Sequence, residues 1–183
     1  PYRTSNPASR SDAETLVRQL NIASVLIDIS PAVDGITDQL HDKPSDLRRG
    51  NVMARTRMTA LYDQSESFGG LVVGTSNKTE LLLGYGTQHG DMASAVNPIG
   101  DLYKTQVQTL SEALDIPKAI LEKTPSADLW EGQSDEDELG FDYELADQVL
   151  YLLIDEQFTA DDLVSDGYDS AIVNNVLRRI ETS

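Results

Sequence analysis

Two kinds of apolar pattern alternate along the first half of the chain. In one, apolar residues return every three or four positions; in the other, short unbroken runs are rich in β-branched residues. Ser11-Asp12-Ala13-Glu14 has the Ser-x-x-Glu form of a capping box. Ala13, Leu16, Val17 and Leu20 then share one face, which predicts a helix ending near Asn21. Ser24 to Ile29 predicts a buried strand. Pro31 stops it and starts a second helix through about Leu40, and residues 42 to 46, with Pro44, form a connection. A long helix is predicted from about Leu47 to Tyr62, with Val52, Met53, Met58 and Leu61 among its apolar positions. Gly69 to Thr75 predicts a second buried strand, ending in a polar turn that leads directly into a helix from Asn77 to Leu83. Beyond a loop from Gly86 to Pro98, helices are predicted at about 102–114, with a short one to Lys123, and at 143–154, 160–165 and 169–180. Residues 126–140 read as irregular and polar.

The order strand, helix, strand, helix implies an α/β fold with a parallel sheet flanked by helices. In such sheets ligands sit beyond the carboxyl ends of the strands, which is where Thr75, Ser76 and Asn77 fall. Thr75 and Asn77 can hydrogen-bond a nucleotide, Glu80 lies one turn into the next helix where it can hold a divalent cation, and Lys104 can balance phosphate charge. The plainer reading is equally open at this point: Thr75-Ser76-Asn77 as an N-cap and Glu80 as a solvated helix residue. Arg48, Arg49, Arg55 and Arg57 crowd the helix at 47–62. Arg55 and Arg57 point in different directions, because residues two apart on a helix lie about 200° apart.

Composition narrows the function. The 183 residues, 39% of them hydrophobic, suit one soluble globular domain. With no cysteine and only two histidines, disulfides, thiolate chemistry and multi-histidine zinc centres are excluded. No apolar run approaches the roughly 18 residues of a membrane span. A net charge of −17 opposes nucleic-acid backbones but leaves a small anionic ligand open wherever cations are locally concentrated. Pro125 to Leu177 holds no Lys or Arg, and Asp outnumbers Lys by 20 to 5. That imbalance fits a solvated acidic surface, or adaptation to high salt, where screening acts over about 10 Å or less. The chain opens at Pro1 with no charged-then-apolar leader, so no secretory signal is expected and the sequence reads as a fragment.

Other motifs lack the context their chemistry needs. Phe68-Gly69-Gly70-Leu71 enters a strand instead of opening a helix, the wrong setting for a phosphate cradle. Asn77-Lys78-Thr79 matches a glycosylation sequon by chance. The acidic run Asp135 to Glu138 lacks the oxygen ligands of a calcium loop at Leu139 and Ala146, and reads as a solvated loop. Residues 160 to 180 read as two packing helices.

Five blocks in order carry a resemblance. They are Arg49-Gly50-Asn51-Val52-Met53-Ala54-Arg55-Thr56-Arg57-Met58; Val72-Val73-Gly74-Thr75-Ser76-Asn77-Lys78-Thr79-Glu80 with Leu83-Gly84-Tyr85; Gly90-Asp91 with Pro98-Ile99-Gly100-Asp101-Leu102-Tyr103-Lys104; Lys123-Thr124-Pro125-Ser126-Ala127-Asp128-Leu129-Trp130; and Gln133-Ser134-Asp135-Glu136. Together they resemble the synthetase domain of the NAD synthetase family from about residue 11 onward. The resemblance implies an adenine nucleotide α-hydrolase-like, Rossmann-like fold and a single domain over residues 1–183, N-terminally incomplete. It implies a carbon–nitrogen ligase that uses ATP and Mg²⁺ to adenylate deamido-NAD, releases pyrophosphate, and lets ammonia, free or glutamine-derived, displace AMP. By position it implies ATP contacts at Thr75, Lys104 and Ser126, with Lys104 catalytic. Asn51, Arg55 and Glu80 would meet deamido-NAD, and Glu80 would also be the metal ligand. A cytoplasmic homodimer is expected.

Three departures accompany the resemblance. The family's Ser-Gly-Gly-x-Asp-Ser phosphate loop is not in this sequence, so this chain alone is expected to be inactive. Gln88 and Ala95 stand where ammonia-using members carry other substrate-contacting residues. Gly90-Asp91-Met92-Ala93 and the segment around Asp166-Gly167-Tyr168-Asp169 look more like glutamine-dependent members, and the basic tail usual in the family is missing. The alternative is a non-catalytic nucleotide-binding or structural homologue that has lost the loop.

Overall fold

Asn6 opens the first helix in the computed structural model, which describes residues 1–130 and 132–183. Its side chain accepts the Ala8 N–H, and Pro7 occupies the first helical turn of α1 (Pro7–Leu20). The Ser11–Glu14 pair therefore lies inside the helix, where Glu14 pairs with Arg10 at 2.8 Å. Asn21 ends α1 in the left-handed conformation.

The run from Ser24 to Ile29 is neither a strand nor buried, Ile29 excepted. Val25 and Leu26 are 59% and 57% exposed. A β-branched run becomes a strand only when a neighbour pairs with its backbone, and no described segment does so here. The second expected strand has one isolated parallel bridge, Val73 to Val96, with Gly74 N–H donating to the Val96 carbonyl at 2.7 Å. Leu71 and Val73 remain exposed while Val72 is buried.

α2 (Ser30–Thr37) and α3 (Asp46–Phe68) follow the expected order, but α3 runs six residues past Tyr62. Gly69 is its left-handed cap, with φ +63°, so Gly69-Gly70 terminates a helix instead of entering a strand. The remaining elements are α4 (Lys78–Leu82), α5 (Lys104–Ala113), α6 (Lys118–Leu121), α7 (Asp135–Leu139), α8 (Tyr143–Leu150), a π-helical turn (Tyr151–Asp155), α9 (Ala160–Ser165) and α10 (Ser170–Thr182).

The main core gathers Leu139, Val149, Leu150, Leu163, Val173 and Val176, all at most 1% exposed. Leu83 and Tyr103 pack into the same cluster, so the end of α4 and the start of α5 rest directly on it. A second, smaller cluster joins Tyr2, Ile29, Val33 and Met53. α9 and α10 pack together as read from the sequence.

Two further stretches differ from expectation. The helix from 143 continues past Leu150 only by widening into the π turn, which directs Asp155 toward Lys78 and Tyr103. The acidic run at 135–138 forms α7, and Asp135 is 5% exposed. Its carboxylate accepts the hydroxyls of Tyr85 at 3.0 Å and Tyr143 at 2.9 Å, which supply the donors a buried anion requires. Among the described residues, no helix is long and apolar enough to cross a membrane.

Candidate active site

The turn after Val73 ends in a full capping box. Asn77 Oδ1 accepts the Glu80 N–H at 3.0 Å, and Glu80 Oε2 accepts the Asn77 N–H at 3.1 Å. The N-cap reading is thus correct, and the cap is also what aims Glu80. Its other oxygen, Oε1, lies 2.9 Å from Lys104 Nζ. Local capping and a charged site use the same side chain.

Lys104 is the first residue of α5. Its ammonium lies 4.9 Å from the centre of the Tyr143 ring, a cation–π contact. Lys104 and Glu80 are both largely shielded, with 27% and 16% of their side chains exposed. A shielded ammonium with one carboxylate partner can transfer its charge to a phosphate at short range, because few waters compete. The flanking Tyr103 hydroxyl donates to Asp155 at 2.6 Å, and burial together with that carboxylate pushes its ionisation above the ordinary phenol range. Asp155 in turn sits below the usual carboxylate range because the Lys78 ammonium and the Tyr103 hydroxyl both donate to it.

α3 forms the opposite wall. Gly50 meets Leu129 so closely that a Cβ there would lie 2.8 Å from Leu129 Cδ1, which seats the 124–130 loop on the helix. Asn51, one residue on, accepts the Thr87 hydroxyl at 2.8 Å. Gly90 approaches Ala54, where a Cβ would stand 3.0 Å from the alanine Cβ, and so lays the 86–91 loop against α3. Arg55 Nε holds the Gln88 carbonyl at 3.1 Å on an exposed face. Ser126 is exposed, and its hydroxyl accepts the Asp128 N–H at 3.2 Å.

Thr75, Glu80, Lys104, Asn51 and Ser126 all line one cleft of about 1920 Å³. That exceeds the roughly 300–1,000 Å³ of a usual small-molecule pocket and leaves room for two nucleotides. Arg55 is not among the lining residues; Arg57 is. Arg57 is half-buried, and desolvation lowers its pKa against the opposing pull of Asp128 and Asp91. Sequence reading separated the two arginines without saying which faces inward. The signal lay in Met53 and Ala54, both buried and four and three residues before Arg57, hence on its side of the helix. Asp135, Asp147 and Trp130 also line the cleft; Asp147 belongs to no motif, and only its burial, 5% exposed, singles it out.

No group of three or more His, Cys, Asp or Glu able to hold a metal occurs among the described residues. Mg²⁺ seldom needs one: a carboxylate or two together with substrate phosphates is its usual setting. Glu80, facing the cleft beside an ammonium that can move onto phosphate, fits as a single protein ligand.

The whole chain, residues 1–183, matches the family model described as NAD synthase. An NH(3)-dependent NAD(+) synthetase from Trichlorobacter lovleyi is 52% identical over 183 residues, which are all of this chain and 67% of that protein. Two solved structures superpose with a TM-score of 0.81. One is NMN synthetase from Francisella tularensis, 35% identical, covering 100% of this chain and 69% of that one. The other is the NH3-dependent NAD synthetase from Campylobacter jejuni in complex with the nitrate ion, 33% identical, covering 100% and 71%. The chain belongs to the NAD synthase family and shares the adenine nucleotide α-hydrolase-like fold class of these synthetases. It spans about two thirds, 63% to 70%, of the length of curated relatives that it matches.

Proposed function

We propose that this chain is the larger part of an ammonia-dependent NAD synthetase. In the reaction, a carboxylate oxygen of deamido-NAD attacks the α-phosphorus of ATP and pyrophosphate leaves. Ammonia then attacks the acyl carbon of the adenylate, AMP leaves, and the amide of NAD remains. No protein nucleophile is needed, so the chain's task is to bind two polyanions in register and balance charge as pyrophosphate departs.

The observation that carries this reading is the meeting of Lys104, Glu80 and Thr75 on one wall of a cleft whose other wall bears Asn51 and Arg57. Lys104 exchanges Glu80 for phosphate oxygens and follows the charge that develops on pyrophosphate. Thr75 and Ser126 offer hydroxyls to ATP. Asn51 and Glu80 face deamido-NAD, and Arg55 serves that side by holding the 86–91 loop through Gln88. Bound at Glu80, Mg²⁺ would polarise the phosphates and ease the departure of pyrophosphate.

In the whole enzyme the apolar runs at 24–29 and 71–75 pair into the parallel sheet of the fold class; their exposure here supports that placement. Exposed Leu47, Leu61 and Tyr62 on α3, with Leu110 on α5, support a homodimer. We place the enzyme in the cytoplasm with its nucleotide substrates, and the chain alone as inactive.

The test is a product assay on the intact enzyme with deamido-NAD, ATP, Mg²⁺ and ammonium. Equal yields of NAD and AMP are expected, with glutamine a poor nitrogen source. ADP in place of AMP, or amidation of nicotinate mononucleotide but not of deamido-NAD, would overturn the reading.

A further inference from the structure

Three consecutive residues at the start of α4 face three at the start of α5, and two carboxylates from α8 and the π turn tie them together. Lys78 Nζ donates to both oxygens of Asp155, at 2.8 and 2.9 Å, and the Tyr103 hydroxyl donates to the same carboxylate. One residue on, the Thr79 hydroxyl donates to Asp147 Oδ1 at 2.5 Å and accepts the Lys104 N–H at 2.9 Å. The Thr105 N–H donates to Asp147 Oδ2 at 2.8 Å. The third pair is Glu80 and Lys104 themselves. A backbone bond from Lys78 N–H to the Leu102 carbonyl, 2.8 Å, completes the seam.

Asp147 is 5% exposed and Thr79 wholly buried. Among the described residues no Lys, Arg or His lies within ion-pair distance of Asp147. A buried carboxylate without a cation is costly unless its acceptor sites are filled. Here they are filled by one hydroxyl and one N–H of the first turn of α5, where the helix dipole also favours negative charge. The anion thus fixes both the end of α5 and the hydroxyl that holds the Lys104 N–H.

We propose that Asp147 is a positioning residue for Lys104: acting through Thr79 and Thr105, it sets the first turn of α5 so that the lysine amine stands at the cleft beside Glu80. The proposal rests on the reading of Lys104 given above. Nothing in the sequence pattern marks Asp147, which lies on α8, 42 residues beyond Thr105, yet meets Thr79 and Thr105 at hydrogen-bond distance.

The test is a cycle of kcat and KM on the intact enzyme for Asp147→Asn, Lys104→Ala and the double variant, with thermal midpoints measured alongside. Asp147→Asn should lower kcat by at least about tenfold while KM for ATP and deamido-NAD moves by less than about threefold. On top of Lys104→Ala it should cost less than about twofold further. Thr79→Val should reproduce the loss and Thr79→Ser should restore most of it, and this pair carries the test if Asp147→Asn does not fold. Undiminished kcat in folded Asp147→Asn or Thr79→Val, or a full loss persisting on Lys104→Ala, overturns the proposal while leaving the lysine's role intact. Unimpaired turnover by Lys104→Ala overturns the underlying reading instead, and the proposal with it.

Discussion

Lys104 and Glu80 stand 24 residues apart in sequence at the first turns of two different helices, and their side chains meet at 2.9 Å. Neither is free to wander. Glu80 is tethered by its second oxygen to the Asn77 N–H, and Lys104 leads a helix whose first turn is bonded to buried Asp147. A cation held in this way needs little reorganisation when phosphate arrives.

Lys104→Ala in the intact enzyme should therefore lower turnover by at least about tenfold, or about 1.4 kcal/mol of transition-state stabilisation. The thermal midpoint should fall only modestly, since Glu80, left without the lysine, keeps its capping bond to the Asn77 N–H. Steady-state kinetics with ATP and deamido-NAD check this. Wild-type turnover in the variant would take the lysine out of the chemistry.

Glu80→Gln replaces one of two engaged oxygens with an NH2 group. Either the lysine or the cap loses its acceptor, and the group facing phosphate becomes neutral. The Mg²⁺ concentration for half-maximal rate should rise at least about fivefold, because carboxylate charge is the protein's main contribution at a site otherwise made of phosphates and water. A magnesium titration superimposable on that of the unaltered enzyme would dispose of the metal role.

How much of this was legible in the sequence depends on where each signal is written. Helix order, the Asn77 turn, Glu80 and Lys104 were readable because caps and short motifs are local. The two strands were not realised, since pairing depends on a neighbour and Val25, Leu26, Leu71 and Val73 find none among the described residues. Gly69-Gly70 pointed to a strand entry but serves as a helix cap, as a left-handed glycine does after a last helical turn. Asp147 was hidden among 31 acidic residues and Asp135 read as part of a solvated run; the donors gathered around each set them apart from the solvated rest.

The core that carries α4 and α5 invites a stability test. Leu150 is fully buried at the centre of the C-terminal cluster, immediately before the π turn. Leu150→Ala should destabilise the fold by about 2–5 kcal/mol, through lost burial and the cavity left behind. Denaturant unfolding followed by circular dichroism measures it. A loss below about 1 kcal/mol would mean that the cluster closes around the gap and does not hold the site helices rigidly.

Besides exposed Tyr151, whose bond to Glu156 raises its ionisation, three more enclosed tyrosines of the seven, Tyr85, Tyr103 and Tyr143, are held protonated by their surroundings. Burial is the largest cause for each, followed by the carboxylates that their hydroxyls meet: Glu138 and Asp135 for Tyr85, Asp155 for Tyr103, and Asp135 for Tyr143. Their folded-state pKa values are raised above the unfolded value of about 10. Between that value and the folded one, the native chain holds more protons than the unfolded chain, so stability falls as pH rises. The contribution is complete below about pH 10 and is lost progressively above it. Phenolate absorbance and circular dichroism recorded on one alkaline titration should show these tyrosines ionising only as the helices unfold. Tyr143→Phe should shift that unfolding and also weaken the neutral-pH fold by about 1–3 kcal/mol, because buried Asp135 then loses one of its two donors. Full ionisation of all seven tyrosines with the helical signal intact would mean that Asp135 and Asp155 do not hold the phenols as described.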